Sequence, residues 1–431
     1  MSRIVKIVTT IRNNWKKSLV GVAAVTYGVS YASEKYQTNS LMRAYCQEVV
    51  KFGDEPLPTT KHPQHLVVIL NPIAKKRKCK KLFQEFCEPL LHLAGIAVTI
   101  IYTEQEGHAR SLVEKLEIPA DAFLVAGGDG TVLDVVTGLI RRYDGNLSNI
   151  KNIPIGILPL GELNKLANSI FVDKYDDLNH VRQMIDATMA AIRGSTKLID
   201  VVKVEPLVQD PENLIKPIYA TNTIQWGAWR DVEARQSKYW YWGSLKSYVT
   251  YIFNGYKKKN INWDCNANIR YSDPCQGCSN CYNKSQFNES SDKRWWHVFI
   301  PRIKSYSNEP DYSRIKNENC NKYHEVPITA TELSIVTRNV EHSLAENLPA
   351  MKLKLGPENI SYLDFVKEGW RRNKGYITLV QKTFEAKDLE LMPTMSDNSD
   401  DQQYFSIDNE EFELKPMKLK LIPNAVKIFC P

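Results

Sequence analysis

The chain lacks the common signatures of nucleotide binding. It has no G-x-x-x-x-G-K-[ST] run and no G-x-G-x-x-G, so the P-loop and dinucleotide-fold readings fall away. It also lacks paired zinc-finger spacing, an aromatic RNA-binding signature and heptads, and nucleic acid is therefore not an expected partner. No internal repeat is present. Residues 1–33 contain no Asp or Glu, only Arg3, Lys6, Arg12, Lys16 and Lys17. The apolar run that follows, Leu19–Ala32, is about fourteen residues, short of the roughly twenty that span a bilayer. Glu34-Lys35-Tyr36 makes a poor signal-peptidase site. A basic, acid-free start favours a mitochondrial address or membrane anchor over secretion or an ordinary buried helix. We take residues 1–45 as this segment, a short hydrophobic helix.

What is present is a 431-residue chain with apolar content for two cored domains. Its net charge of +7 is uneven, with further basic clusters at Lys75-Lys76-Arg77-Lys78, Lys80-Lys81 and Lys257-Lys258-Lys259. Such clusters suit anionic lipid or nucleotide phosphates.

From residue 62 to about 200, strand and helix patterns alternate. Leu66–Leu70, Val98–Tyr102, Phe123–Ala126 and Pro154–Leu158 read as strands. Lys80–Leu93, Ala109–Leu116, Thr131–Arg142, Leu163–Phe171 and Leu178–Arg193 read as helices. That order predicts an α/β lobe with a parallel sheet, whose ligands sit at the carboxyl ends of the strands. Residues 201–431 read instead as a β-sandwich lobe of short runs: Leu198–Val204, Ile218–Ile224, Leu333–Thr337, Tyr376–Gln381, Tyr404–Ile407, Met417–Leu421 and Ala425–Phe429. Tyr239–Tyr256 is its one helical candidate. A polar, cysteine-containing insertion spans about 257–330, with loops expected at 257–294 and Ser396–Gln403.

The strongest motif is Gly127-Gly128-Asp129-Gly130-Thr131, between a strand and a helix. Glycines permit positive φ and close backbone approach, and a strand-to-helix turn presents N–H groups to phosphate. Asp129 inside it can orient a metal ion or take a proton from a hydroxyl. Asn71-Pro72 ends the first strand ahead of the basic run, which reads as a second phosphate clamp or as a solvated helix start. Asp408-Asn409-Glu410 joins two β runs and reads as a hairpin tip or as a carboxylate pair for Mg²⁺ or base work. Cys275, Cys278 and Cys281 recur every third residue, with Cys265, Cys320 or His297 available as a fourth zinc ligand. Disulfides and unmodified thiols remain open at this point.

Together with Ile157-Leu158-Pro159-Leu160-Gly161, these motifs resemble the catalytic domain of the diacylglycerol and sphingosine kinases. Trp226-Gly227, Asp231, Ser237-Lys238-Tyr239, Gly243 and Ser406–Glu411 extend the match. Asn14–Lys17, Cys46-Gln47-Glu48 and the closing residues 421–430 resemble the acylglycerol kinases within that family. The resemblance covers nearly the whole chain and is weakest at about 257–330. It implies an ATP- and Mg²⁺-dependent lipid kinase acting on monoacylglycerol and diacylglycerol, with a nucleotide and a lipid hydroxyl meeting between two lobes. By resemblance, Gly127, Gly128, Gly130, Thr131 and Gly161 hold nucleotide phosphates, with Asn71 and Thr103 lining the site. Asp129 and Asp408 are the two candidate bases, and Asp129 and Glu410 the metal carboxylates. Asp231 and Glu233 meet the lipid head group, and Lys246 faces phosphate.

Three positions depart from the family pattern. Lys75 stands where a glycine is usual, Gly161-Glu162-Leu163-Asn164-Lys165 replaces a Gly-Thr-x-Asn-Asp turn, and Asp134 replaces Glu. The second is typical of acylglycerol kinases. The other readings are a sphingosine or ceramide kinase of the same fold, and a structural subunit of the mitochondrial inner-membrane carrier-import translocase. The resemblance raises the latter. A soluble NAD kinase, which shares the glycine turn, fits neither the N-terminus nor Asp408-Asn409-Glu410. The expected setting is a mitochondrial membrane, with acylglycerol lipids and translocase subunits as partners.

Overall fold

A computed structural model describes residues 13–56, 62–171, 179–208, 215–256, 263–275, 278–280, 315–320, 322–341, 349–373, 377–394 and 403–431. Two compact units emerge. The first joins Met1–Val132, Asn152–Lys197 and Lys427–Pro431, and the second joins Leu133–Lys151 and Leu198–Val426.

In the first unit, β1 (His65–Leu70), β2 (Ala97–Tyr102), β3 (Ala122–Gly127) and β4 (Ile155–Pro159) form a parallel sheet in the order β2-β1-β3-β4. Leu66–Leu70 and Ala122–Gly127 are buried throughout, as continuous apolar runs are when helices cover both faces of a sheet. The last residues of the chain extend this sheet, with Ile428 beside Ile155 and the Cys430 N–H donating to Ser195 O. The expected helix Lys80–Leu93 is interrupted. It runs as Cys79–Leu82, a π turn at Phe83–Cys87, and Glu88–Leu93.

The N-terminal helix is longer than expected. Trp15–Gly53 is continuous over 39 residues, about 58 Å at 1.5 Å per residue. Its far end is anchored, with Tyr45 Oη donating to Asp186 at 2.6 Å and Arg193 pairing with Glu48 at 2.6 Å. Toward its start, Leu19, Val20, Val22, Val25, Tyr27, Val29 and Tyr31 are all exposed. No helix among the described residues is long and apolar enough to cross a membrane.

The second unit is built on two antiparallel sheets. One follows β12 (Lys382–Ala386), β11 (Met351–Leu355), β10 (Glu332–Val336), β7 (Thr223–Gly227), β14 (Tyr404–Ile407) and β15 (Glu410–Glu413). The other contains β13 (Asp388–Pro393), β8 (Cys265–Ser272) and β9 (Tyr323–Ala330), with the long final strand β16 (Met417–Phe429) along β13. β5 (Thr196–Pro206) pairs with β16 and with β6 (Ile218–Ala220). Alternate residues of both sheets meet in one core, among them Ile224, Trp226, Leu333, Ile335, Leu353, Ile269, Leu389 and Leu419. Period-two burial of this kind makes a sandwich.

Several expected elements are corrected here. The strand expected at Tyr376–Gln381 lies at Lys382–Ala386, and β8 occupies part of the expected loop 257–294. The runs Met417–Leu421 and Ala425–Phe429 are one strand. The expected helix Tyr239–Tyr256 is a 3₁₀ stretch Gln236–Leu245 followed by Lys246–Tyr256. Helices Ala228–Ala234 and Tyr362–Arg372 were not expected. They pack through Trp229, Tyr251 and Phe365, the Trp229 and Phe365 rings stacking at 5.2 Å.

Candidate active site

The carboxyl ends of β1 to β4 gather the expected nucleotide residues. The Asn71 N–H donates to Ala126 O at 3.0 Å, and its side-chain amide donates to Thr131 Oγ1 at 3.4 Å. Thr103, buried at the end of β2, donates its N–H to Leu70 O at 3.0 Å. Gly127 ends β3, and Gly128 leads into helix Asp129–Arg142, accepting the Val132 N–H. Gly130 lies in that helix's first turn. The turn after β4 packs directly on the glycine turn. A Cβ on Gly161 would stand 2.3 Å from Gly128 Cα and 2.7 Å from Asn164 Oδ1, so only glycine lets these backbones touch.

Asp129 is buried and bound to this second turn. Its carboxylate accepts the Lys165 N–H at 3.0 Å and the Leu166 N–H at 3.2 Å. It therefore caps helix Lys165–Ile170 while opening its own helix. Asn164, left-handed at φ 51°, closes the turn by exchanging hydrogen bonds with Gly161 N and O at 2.8 and 3.1 Å. Sequence reasoning noted Asn164 only as part of a departure. Its signal was a residue type that tolerates left-handed backbone, placed just before a helix.

Lys75, another of the three departures, keeps the backbone that a glycine would adopt. Lys75, Lys76 and Arg77 have φ of 49°, 56° and 65°, a run that costs on the order of 1 kcal/mol or more per residue. Burial is the main influence pulling the Lys75 ammonium below the usual lysine range, and Lys78 adds to it against an opposing influence from Cys79. A bound anion would relieve that penalty.

The second unit holds the other expected residues. Asp408 and Asn409 sit at φ 48° and 69° between β14 and β15, the signature of a two-residue type I′ hairpin. Unlike an ordinary hairpin tip, Asp408 is fully buried. Its two oxygens accept the N–H groups of Thr221, Asn222 and Thr223 at 2.7, 2.9 and 2.9 Å, and the Thr221 hydroxyl at 3.0 Å. Thr221–Thr223 joins β6 to β7 and is braced from behind, since Thr337 Oγ1 and Asn339 Nδ2 both donate to Thr221 O at 2.7 Å. Glu410 opens β15 opposite Ile407 and is half-buried.

Asp231 is buried in helix Ala228–Ala234, directly after Gly227, whose φ of 125° and whose neighbour Thr331 O leave no room for a Cβ. Arg230 ties Asp231 to the hairpin, reaching Asp231 at 3.0 Å and Glu411 at 2.7 Å. The sequence reading missed Arg230. Glu233 accepts the Tyr251 hydroxyl at 3.1 Å. Burial first, and Glu233 second, push that phenol well above its usual range. Lys246, half-buried, starts the helix that carries Tyr251. Beside it Trp240, Tyr241, Trp242, Leu245 and Phe253 are exposed.

The cysteines regroup. Cys275 and Cys278 cluster with Cys320, while Cys265 belongs to the sandwich core on β8. Cys281 and His297 lie outside the described residues.

Comparison with known proteins agrees with this architecture. Residues 65–204 match the diacylglycerol kinase catalytic domain, and residues 222–431 match the acylglycerol kinase C-terminal domain. The chain is 33% identical over 426 residues to the mitochondrial acylglycerol kinase of Homo sapiens, covering 98% of this chain and 95% of that protein. It is 31% identical to the Xenopus laevis protein of the same name, covering 100% and 96%. Among solved structures, a Bacillus anthracis str. Sterne protein with a provisional diacylglycerol kinase name aligns at a TM-score of 0.50 and 14% identity. That alignment covers 86% of this chain and 99% of that one, and it bears on the fold alone. The chain belongs to the acylglycerol kinase family of lipid kinases.

Proposed function

We propose that this lipid kinase transfers the γ-phosphate of ATP to the free hydroxyl of monoacylglycerol and diacylglycerol, giving lysophosphatidic and phosphatidic acid. The carrying observation is the pair of glycine turns at the ends of β3 and β4, packed backbone to backbone with Asp129 between them. A turn of this shape admits a phosphate chain where side chains would block it. Lys75 and its basic neighbours supply positive charge beside it.

In this reading Asp129 is the carboxylate nearest the chemistry. A lipid hydroxyl is a weak nucleophile, and an acceptor for its proton is worth roughly 10²–10⁴-fold in rate. The hard oxygen donors of Asp129 and Glu410 suit Mg²⁺, which when bound neutralises charge on the transferring phosphate. Asp408 is better suited to positioning than to taking the proton, because its oxygens are engaged by four donors from Thr221–Thr223. Asp231, held by Arg230, and Glu233 serve the lipid head group, and Lys246 serves phosphate. The exposed aromatic group around Trp240–Trp242 supports a lipid substrate, since such rings favour the membrane interface.

The exposed apolar side chains of helix Trp15–Gly53 support placement at a mitochondrial membrane. They also support a second role, docking to inner-membrane carrier-translocase subunits. Transfer of labelled γ-phosphate in the presence of Mg²⁺ to monoacylglycerol, diacylglycerol, ceramide and sphingosine tests the reading, with wild type and Asp129→Asn side by side. Product on acylglycerols that disappears in the variant is the expected result. Product only on sphingoid lipids reassigns the substrate. No product from folded, membrane-binding protein refutes catalysis and leaves the docking role.

A further inference from the structure

The insertion between β8 and β9 carries a feature that lipid phosphorylation does not use. Cys275, Cys278 and Cys320 place their sulfurs within 4.8 Å of one another. All three are buried, with Cys278 fully so. They form a cluster of their own, distinct from the sandwich core and from the Trp229–Phe365 core. Burying three small thiols against one another removes little apolar surface from water, so packing alone is a weak reason for the arrangement.

Two described stretches, 278–280 and 315–320, lie beside the sulfurs. Cys275 and Cys278 have the two-residue spacing of a metal knuckle. Cys320 ends a turn in which its N–H donates to Asn317 O at 3.3 Å. The two stretches are held to each other, with Ser279 N–H donating to Ile315 O at 2.8 Å and Asn280 Nδ2 to Asn317 O at 3.2 Å. Asn317 also directs its side-chain amide at the Cys275 sulfur at 3.4 Å. An N–H aimed at sulfur is the second layer that steadies a metal-bound thiolate.

We infer that Cys275, Cys278 and Cys320 are three thiolate ligands of a structural zinc ion that fastens the two ends of the insertion together. Sulfurs about 2.3 Å from a tetrahedral zinc stand about 3.8 Å apart, which this cluster accommodates. A disulfide would draw only two of the three to about 2.05 Å and strand the third. Soft sulfur donors select zinc over Mg²⁺, so this ion is separate from any ion used in phosphoryl transfer. Ligation displaces the thiol protons, one for each cysteine. The fourth coordination position belongs to a donor beyond these three. The ion would lie at the ends of β8 and β9, where Ser272 and Tyr323 are paired, and would tie Cys275 and Cys278 to Cys320 there.

Metal analysis of the full chain, purified without chelator, tests this directly. One zinc per chain is expected, retained in Cys265→Ser and lost in Cys275→Ser, Cys278→Ser and Cys320→Ser. If those variants fail to fold, wild type decides. A maleimide should label the three thiols only after a strong chelator is added, and cobalt exchanged for zinc should give a thiolate-to-metal charge-transfer band. A metal-free folded chain, zinc that survives all three substitutions, or a disulfide among these cysteines in non-reducing peptide mass spectrometry would overturn the assignment.

Discussion

Replacing Asp408 with asparagine separates a brace from a base. The aspartate is fully buried and accepts four hydrogen bonds of 2.7–3.0 Å from Thr221, Asn222 and Thr223. Asparagine keeps one acceptor oxygen and turns an NH₂ toward the remaining donors. If its oxygen stays on Thr221, the Asn222 and Thr223 N–H groups lose their acceptor inside the lobe. Each such buried donor costs about 1–3 kcal/mol, so the two together cost about 2–6 kcal/mol. For a lobe of this size that corresponds to a fall in Tm of roughly 5–20 °C. Thermal unfolding followed by circular dichroism reads the shift, and urea titration checks it as a lower midpoint. Kinase turnover on acylglycerol is measured at a temperature where the variant is folded. An Asp408→Asn protein with wild-type Tm and turnover reduced by roughly 10² or more would refute the brace and make Asp408 the base.

Three further outcomes follow from named contacts. Gly161→Ala should abolish detectable ATP binding in calorimetry, because its Cβ would overlap Gly128 Cα at 2.3 Å, whereas Gly128→Ala meets Gly161 Cα only at 3.4 Å and should fold normally. Equal ATP affinity for Gly161→Ala and wild type would count against the packed turns as the nucleotide site. Asp129→Asn should lower kcat by roughly 10²–10⁴-fold with a smaller change in the KM for ATP, and a change confined to KM would move Asp129 out of the chemistry. Glu368 is opposed by burial, but hydrogen bonds from Thr378 and Leu379 and the Arg372 charge outweigh it and hold its folded pKa below the ordinary 4.5. Its contribution to stability is therefore present above about pH 4.5 and lost as pH falls through the lowered folded value. Glu368→Gln should flatten the acid limb of Tm against pH, and an unchanged limb would refute this.

The parallel lobe was legible because its strands are buried on both faces. Leu66–Leu70 and Phe123–Ala126 are unbroken apolar runs, and the structure adds only a residue or so at each end. The sandwich was harder to read. Strand β8, Cys265-Asn266-Ala267-Asn268-Ile269, buries only every second residue, and asparagines on its other face give it the composition of a loop. Met351–Leu355 alternates with lysines in the same way. Helix Tyr362–Arg372 did carry a local signal, Ser361 capping the Asp364 N–H, but one cap amid polar sequence is easily passed over. The site residues were visible as motifs, whereas what they touch was not. Asp129 bonds to residues 36 and 37 positions away, and Asp408 to residues 185–187 positions away. Apart from the Thr221 hydroxyl, those partners are backbone N–H groups, which leave no mark in residue type.

The final strand has a consequence for biosynthesis. Lys427–Pro431 belong to the same unit as the parallel sheet, and Ile428 flanks β4. During translation, at about 5–20 residues per second, β4 is made long before the strand that flanks it, since β4 ends at Pro159 and its neighbour is reached only at Lys427–Phe429. In that interval the β4 edge waits with open backbone groups, a state that invites strand pairing with other nascent chains. A substitution that unseats Ile428 would therefore harm the lobe whose strands are made first.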